Sequence, residues 1–168
     1  MEKYKEVNGC LITLALSGVF DVVAHGCNCF CKQRAGLAPQ MVAAFGTDKF
    51  FLEGNEYEGD FNKLGQINYQ SGLVTGGKFE WAKSNNFFPG CLIVVNCYTQ
   101  YKWGLELKPF DYEAFTLCMR KMNHQFKGKK IGLPAIGAGL AGGDIIRIKA
   151  IMKKEFTDCY VTLVLFTK

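Results

Sequence analysis

The chain has 168 residues, 49% hydrophobic, 21% charged and 14% aromatic. That length suits one domain over residues 1–168, with a real core, and the composition excludes a disordered chain. No apolar run reaches the ~18 residues of a membrane span, and the Met1–Glu6 start lacks the apolar heart of a signal peptide. Net charge is +5, a mild excess that suits an anionic small ligand better than a nucleic-acid stripe. Eight cysteines without a secretion signal or an Asn-x-Ser/Thr sequon point to reducing cytoplasm.

Val19 to Ala24 reads as a buried strand ending at His25. Pro39 opens a short helix through Phe45, since proline is tolerated in a first turn. Phe51 to Lys63 is polar and Gly-spotted, a long surface loop. Gly65 to Tyr69 is a plausible strand, and Cys91 to Cys97 a fully apolar, β-branched one. Asp111 caps a helix whose stripe is Phe115, Cys118, Met119, Met122 and Phe126. Lys130 to Pro134 is a strand, Asp144 to Phe156 a helix, and Cys159 to Phe166 a last strand. Strands alternating with helices argue for a layered α/β domain, with ligands at the carboxyl ends of the strands.

Two segments fall at such ends. The first is His25-Gly-Cys-Asn28-Cys-Phe-Cys-Lys-Gln-Arg34-Ala-Gly36-Leu-Ala38; the second is Leu133-Pro-Ala-Ile-Gly137-Ala-Gly139-Leu-Ala-Gly142-Gly143-Asp144. Glycine permits close backbone approach and positive φ. Free amides at a helix start attract phosphate. Two such loops point to a phosphate-bearing ligand; two merely tight turns are the alternative.

The second loop spells G-x-G-x-x-G. The chain ends too soon after it for the rest of a dinucleotide-binding domain, so nicotinamide redox chemistry is set aside. His25, Cys27, Cys29 and Cys31 suggest zinc. On an extended chain four alternate residues span ~20 Å, however, and one ion needs its ligands within ~2–2.3 Å, so no metal is expected. A cysteine phosphatase needs C-x5-R; Cys29 to Arg34 is one residue short and Cys27 to Arg34 one too long.

The pair of loops resembles the macrodomain family of ADP-ribose binders. The likeness runs over almost the whole chain. It is most specific in His25-Gly-Cys-Asn-Cys, Val95-Asn-Cys-Tyr-Thr-Gln100 and Ile136-Gly-Ala-Gly-Leu-Ala-Gly-Gly-Asp144. It is nearest to compact bacterial and phage macrodomain proteins, which are similar to the yeast ADP-ribose-1''-phosphate phosphatase and the terminal ADP-ribose protein glycohydrolase.

The resemblance implies a three-layer α/β/α fold with a central mixed sheet, in host cytoplasm if phage-encoded. It implies ADP-ribose or ADP-ribose 1''-phosphate as ligand and hydrolysis at the 1'' position, most of all of phosphate, without a cofactor. The alternatives are removal of ADP-ribose from protein or nucleic acid, and a non-catalytic binding module. By the same likeness Asn28, Ala35, Gly36 and Leu37 fall near the distal ribose. Gly137, Ala138, Gly139 and Leu140 would wrap the diphosphate through main-chain amides. Phe166 would pack on adenine, with Cys10 and Leu11 beside it. Thr99 and Gln100 would line the cleft after a strand. His25 and Asp144 are the catalytic candidates, for proton and water; a structural histidine and a plain helix cap are their rivals.

Three departures stand out. Cys10 replaces the family's adenine-binding aspartate, and a thiol is a weak acceptor. Arg34 stands where the first loop usually has glycine, and it could pair with a terminal phosphate. Gln100 falls near the lysine that forms an adduct in the terminal glycohydrolase, and the aspartate of that enzyme aligns nearer Ala141 than Asp144, so that mechanism is not expected here.

Overall fold

The structure is a computed structural model. It describes residues 2–30, 36–50, 59–84, 86–102, 109–139 and 141–166. Seven strands form one mixed sheet: β1 (Tyr4–Gly9), β2 (Val22–Asn28), β3 (Ile67–Thr75), β4 (Lys78–Trp81), β5 (Leu92–Gln100), β6 (Lys130–Leu133) and β7 (Tyr160–Phe166). Their order across the sheet is β1-β7-β6-β2-β5-β3-β4. The first five of that order are mutually parallel, while β3 runs antiparallel to β5 and to β4.

Among the described residues four helices cover the sheet: α1 (Leu11–Leu16), α2 (Ala38–Phe45), α3 (Tyr112–Gln125) and α4 (Ile145–Glu155). Strand residues alternate between two cores. Val22, Ala24, Ile93, Val95 and Cys97 join Phe115, Cys118, Met119 and Met122 of α3 and Ile148 and Met152 of α4. Val23, Leu92 and Val94 join Leu11 and Ala15 of α1 and Met41 and Phe45 of α2. Period two on the strands and period 3.6 on the helices thus produce the three layers.

Asp111 and Asp144 cap α3 and α4, accepting from the amides of Ala114 (3.0 Å) and Ile146 (2.9 Å). Several boundaries differ from expectation. β2 continues past His25 to Asn28, and β5 continues to Gln100, so Thr99 and Gln100 lie inside a strand. Across β2 and β5 the buried polar side chains of His25 and Asn96 pair with each other. β3 starts at Ile67 and extends through Thr75 into a hairpin with β4. Of the expected 51–63 loop, residues 51–58 lie outside the described residues; Phe61–Lys63 is a short 3-10 turn, and Lys63 is buried.

Candidate functional site

The five parallel strands end on one edge of the sheet, and the expected site residues lie along it. Neighbouring strands are ~4.8 Å apart, so β1 to β5 is about 19 Å of continuous floor. Gly9 and Cys10 close β1 beside Phe166 at the end of β7, with Gly9 and Phe166 paired in register. The glycine-rich segment leaves β6, Asn28 ends β2, and Gln100 ends β5.

The two loops therefore leave adjacent strands in the same direction, because β2 pairs with β6 through Val22–Ile131 and Val23–Gly132. The second loop also rests directly on β2: a Cβ at Gly26 would lie 2.8 Å from Ile136 Cγ2.

Within the second loop the glycines divide by cause. Gly137 has φ +78°, and a Cβ there would overlap the Phe110 ring. A Cβ at Gly143 would crowd the same ring at 2.9 Å. The loop folds around Phe110, closed by a Gly143 amide to Gly137 carbonyl bond of 2.6 Å. Gly139, in contrast, is exposed with open space around it. The Ala138 amide, expected on the diphosphate, donates instead to the Ala135 carbonyl at 3.2 Å, as the tight turn requires. Leu140 lies outside the described residues.

His25 is not at the cleft surface. It is 2% exposed, and its Nε2 lies 2.7 Å from Asn96 Oδ1. Asn96 Nδ2 donates to the Thr47 carbonyl at 2.8 Å. That bond orients the amide, so Oδ1 accepts and the imidazole carries its proton on Nε2. Burial pushes the His25 pKa down to about 4, against the opposing bond to Asn96. The histidine thus stays neutral, with Cys27 Sγ 3.5 Å from Nε2. This is the structural arrangement that competed with a catalytic one. Asn96 lies in the quoted Val95–Gln100 motif with no role assigned to it, although one amide inside Leu92-Ile-Val-Val-Asn-Cys signals a buried polar partner.

Asn28 forms an Asx turn, Oδ1 accepting from the Phe30 amide at 2.9 Å. Asp144 is exposed at the mouth of the second loop; its amide donates to Tyr112 Oη at 2.7 Å, and the Arg147 guanidinium covers the Tyr112 ring at 3.8 Å. Phe166 is 67% exposed. Leu11 is buried in the α1–α2 core, and half-buried Leu37 packs against it. Gly36 has φ +64° and is exposed. Arg34 and Ala35 lie outside the described residues. Cys10 begins α1, and the hydroxyl and amide of Thr13 hold its thiol below the ordinary value against the effect of burial, with help from the Ile12 amide. Gln100 Nε2 donates to the Lys102 carbonyl at 3.1 Å. Thr99 is fully buried.

Among the described residues no helix is long and apolar enough to cross a membrane. No group of three or more His, Cys, Asp or Glu among them is placed to hold a metal ion.

No protein-family model matches the chain. It is 31% identical over 167 residues to the uncharacterized 17.5 kDa protein of the tk-vs intergenic region of Enterobacteria phage T4, covering 95% of this chain and 94% of that one. Among solved structures, Thermosipho africanus DarTG in complex with ADP-ribose superposes with a TM-score of 0.71 at 15% identity, over 98% of this chain and 42% of that one. The macrodomain of Thermus aquaticus DarG gives a TM-score of 0.66 at 16% identity, over 98% of both chains. With the mixed seven-stranded sheet between helix layers, these likenesses establish that the chain has the macrodomain fold and belongs to the same family as the phage T4 protein.

Proposed function

We propose that the protein binds ADP-ribose derivatives along the carboxyl ends of its parallel strands and hydrolyses a substituent at the 1'' position, phosphate first among them. The observation that supports this reading is the contact of Ile136 with Gly26, which seats the second loop on the strand that leads into the first. The ADP-ribose bound to the structurally similar DarTG supports it.

In this reading adenine lies on Phe166 beside Cys10. The diphosphate meets the main chain around Gly137, Gly139 and Leu140. The distal ribose sits at Asn28, Ala35 and Gly36, with Arg34 on a terminal phosphate and Gln100 at the rim. Asp144, exposed at the loop mouth, orients water. His25, sealed and neutral, positions β2 against β5 and does not carry the proton. The phage relative supports a place in host cytoplasm.

The test is release of inorganic phosphate from ADP-ribose 1''-phosphate, alongside ADP-ribose binding by calorimetry. Binding with release supports the hydrolase. Binding without release, and without activity on ADP-ribosylated protein or nucleic acid, leaves the second reading, a binding module. The burial of His25 favours that second reading, because it leaves Asp144 as the one exposed titratable candidate among the residues singled out for catalysis. Absence of binding rejects both.

A further inference from the structure

Thr99 carries a buried hydroxyl that nothing in the described structure satisfies. The residue is 0% exposed, and its Oγ1 has no hydrogen-bond partner. Such a group is costly, and native proteins ordinarily pair it. Valine has the same shape and would avoid the cost.

Local geometry sets the hydroxyl where it is. Cys27 pairs with Tyr98 but Asn28 pairs with Gln100, so Thr99 is the extra residue of a β-bulge. Bulges re-aim side chains and recur beside active sites. The Thr99 carbonyl accepts from the Asp111 amide at 2.9 Å, which ties the bulge to the start of α3. Opposite, β2 has a glycine: a Cβ on Gly26 would lie 3.0 Å from Thr99 Oγ1. Ile136 closes the third side, since the same Cβ would lie 2.8 Å from its Cγ2. Gly26 is two residues before Asn28, and Ile136 is one before Gly137. The hydroxyl thus lies between the ends of β2 and β5, under the start of the second loop.

We propose that Thr99 determines specificity for the distal ribose: its hydroxyl bonds a ribose hydroxyl of ADP-ribose as the Ile136 side chain gives way. This rests on the ADP-ribose reading above. A ribose hydroxyl both donates and accepts, so a threonine hydroxyl can meet it in either sense. ADP ends at the diphosphate and brings no second ribose to that position.

The experiment measures ADP-ribose and ADP binding by calorimetry, with thermal denaturation, for wild type, Thr99→Val and Thr99→Ser. Thr99→Val is expected to melt at the wild-type temperature or above it. It should bind ADP-ribose about ten-fold more weakly, the loss of one hydrogen bond, and bind ADP unchanged. Thr99→Ser should keep most of the ADP-ribose affinity. Wild-type affinity in Thr99→Val, or equal loss of both ligands, overturns the proposal. So does a lower melting temperature, which would reveal a structural partner for the hydroxyl. A wild-type protein that binds neither nucleotide instead overturns the ADP-ribose reading, and this proposal with it.

Discussion

The Phe110 ring occupies the volume that any side chain on Gly137 would need. The pair shows why one of the loop's glycines is a glycine, and the reason is packing beneath the loop as much as access from above it. Gly137→Ala must displace the ring and place alanine at φ +78°. Overpacking of this kind costs about 1–3 kcal/mol, and denaturant unfolding should register it. Adding Phe110→Ala should recover part of the loss in a double-mutant cycle. Gly139→Ala, which enters open space, should stay within ~0.5 kcal/mol of wild type. Equal costs for the two alanines would remove Phe110 from the explanation.

His25 sets a pH dependence. Its folded pKa is pushed down to about 4 by burial, while in the unfolded chain imidazole titrates near 6.5. Between those values the unfolded state holds a proton that the folded state refuses. The stabilisation is complete above pH ~6.5 and is lost as pH falls toward 4, a change on the order of 3 kcal/mol. His25→Gln, unfolded by denaturant across this range, should show a flatter profile. An unaltered slope would mean that other groups govern acid sensitivity.

Asp144 can be tested for two roles at once. Asparagine caps a helix about as well as aspartate, whereas alanine costs ~1 kcal/mol. Asp144→Asn should therefore keep the melting temperature and Asp144→Ala should lower it. If the carboxylate also orients the attacking water, Asp144→Asn should lose hydrolysis by about 10²-fold or more. Full activity in the asparagine variant would reduce Asp144 to a cap.

The proposed adenine end is tested at Phe166 and Cys10. Phe166 is largely exposed, so Phe166→Ala should fold normally, yet weaken adenine-nucleotide binding about ten-fold through lost stacking. Cys10→Asp places a better acceptor at the start of α1, where aspartate is a preferred cap. It should raise both the melting temperature and the affinity for ADP-ribose over a hypoxanthine analogue. Undiminished binding in Phe166→Ala together with unchanged base preference in Cys10→Asp would put adenine elsewhere.

The elements legible in the sequence were those whose burial is one-sided and regular. α3 and α4 showed their Phe115–Met122 and Ile148–Met152 stripes, and the center of β5 its unbroken apolar run. β1 was not singled out, because Tyr4-Lys-Glu-Val-Asn-Gly pairs only with β7 at the sheet edge and is largely exposed. β4 is likewise an exposed edge. α1 is six apolar residues, too short to show a helical period. At the site, the two segments were legible as strand-to-helix connections, and they do follow β2 and β6 and precede α2 and α4. The sequence overvalued His25, because a histidine before glycine reads alike whether it opens on a cleft or bonds a buried amide. The partners of Phe110 and Asn96 were not legible for a related reason: they lie dozens of positions away and are brought close only by the fold.

The additional residue at position 99 also reverses the alternation of everything that follows it in β5. Had the strand run on evenly, Thr99 would sit opposite Asn28, and Gln100 would point to the other side of the sheet. Deleting a single residue there would leave the hydrophobic layers intact and yet exchange the side chains at the rim. The length of one strand thus sets which side chains stand at this edge of the sheet.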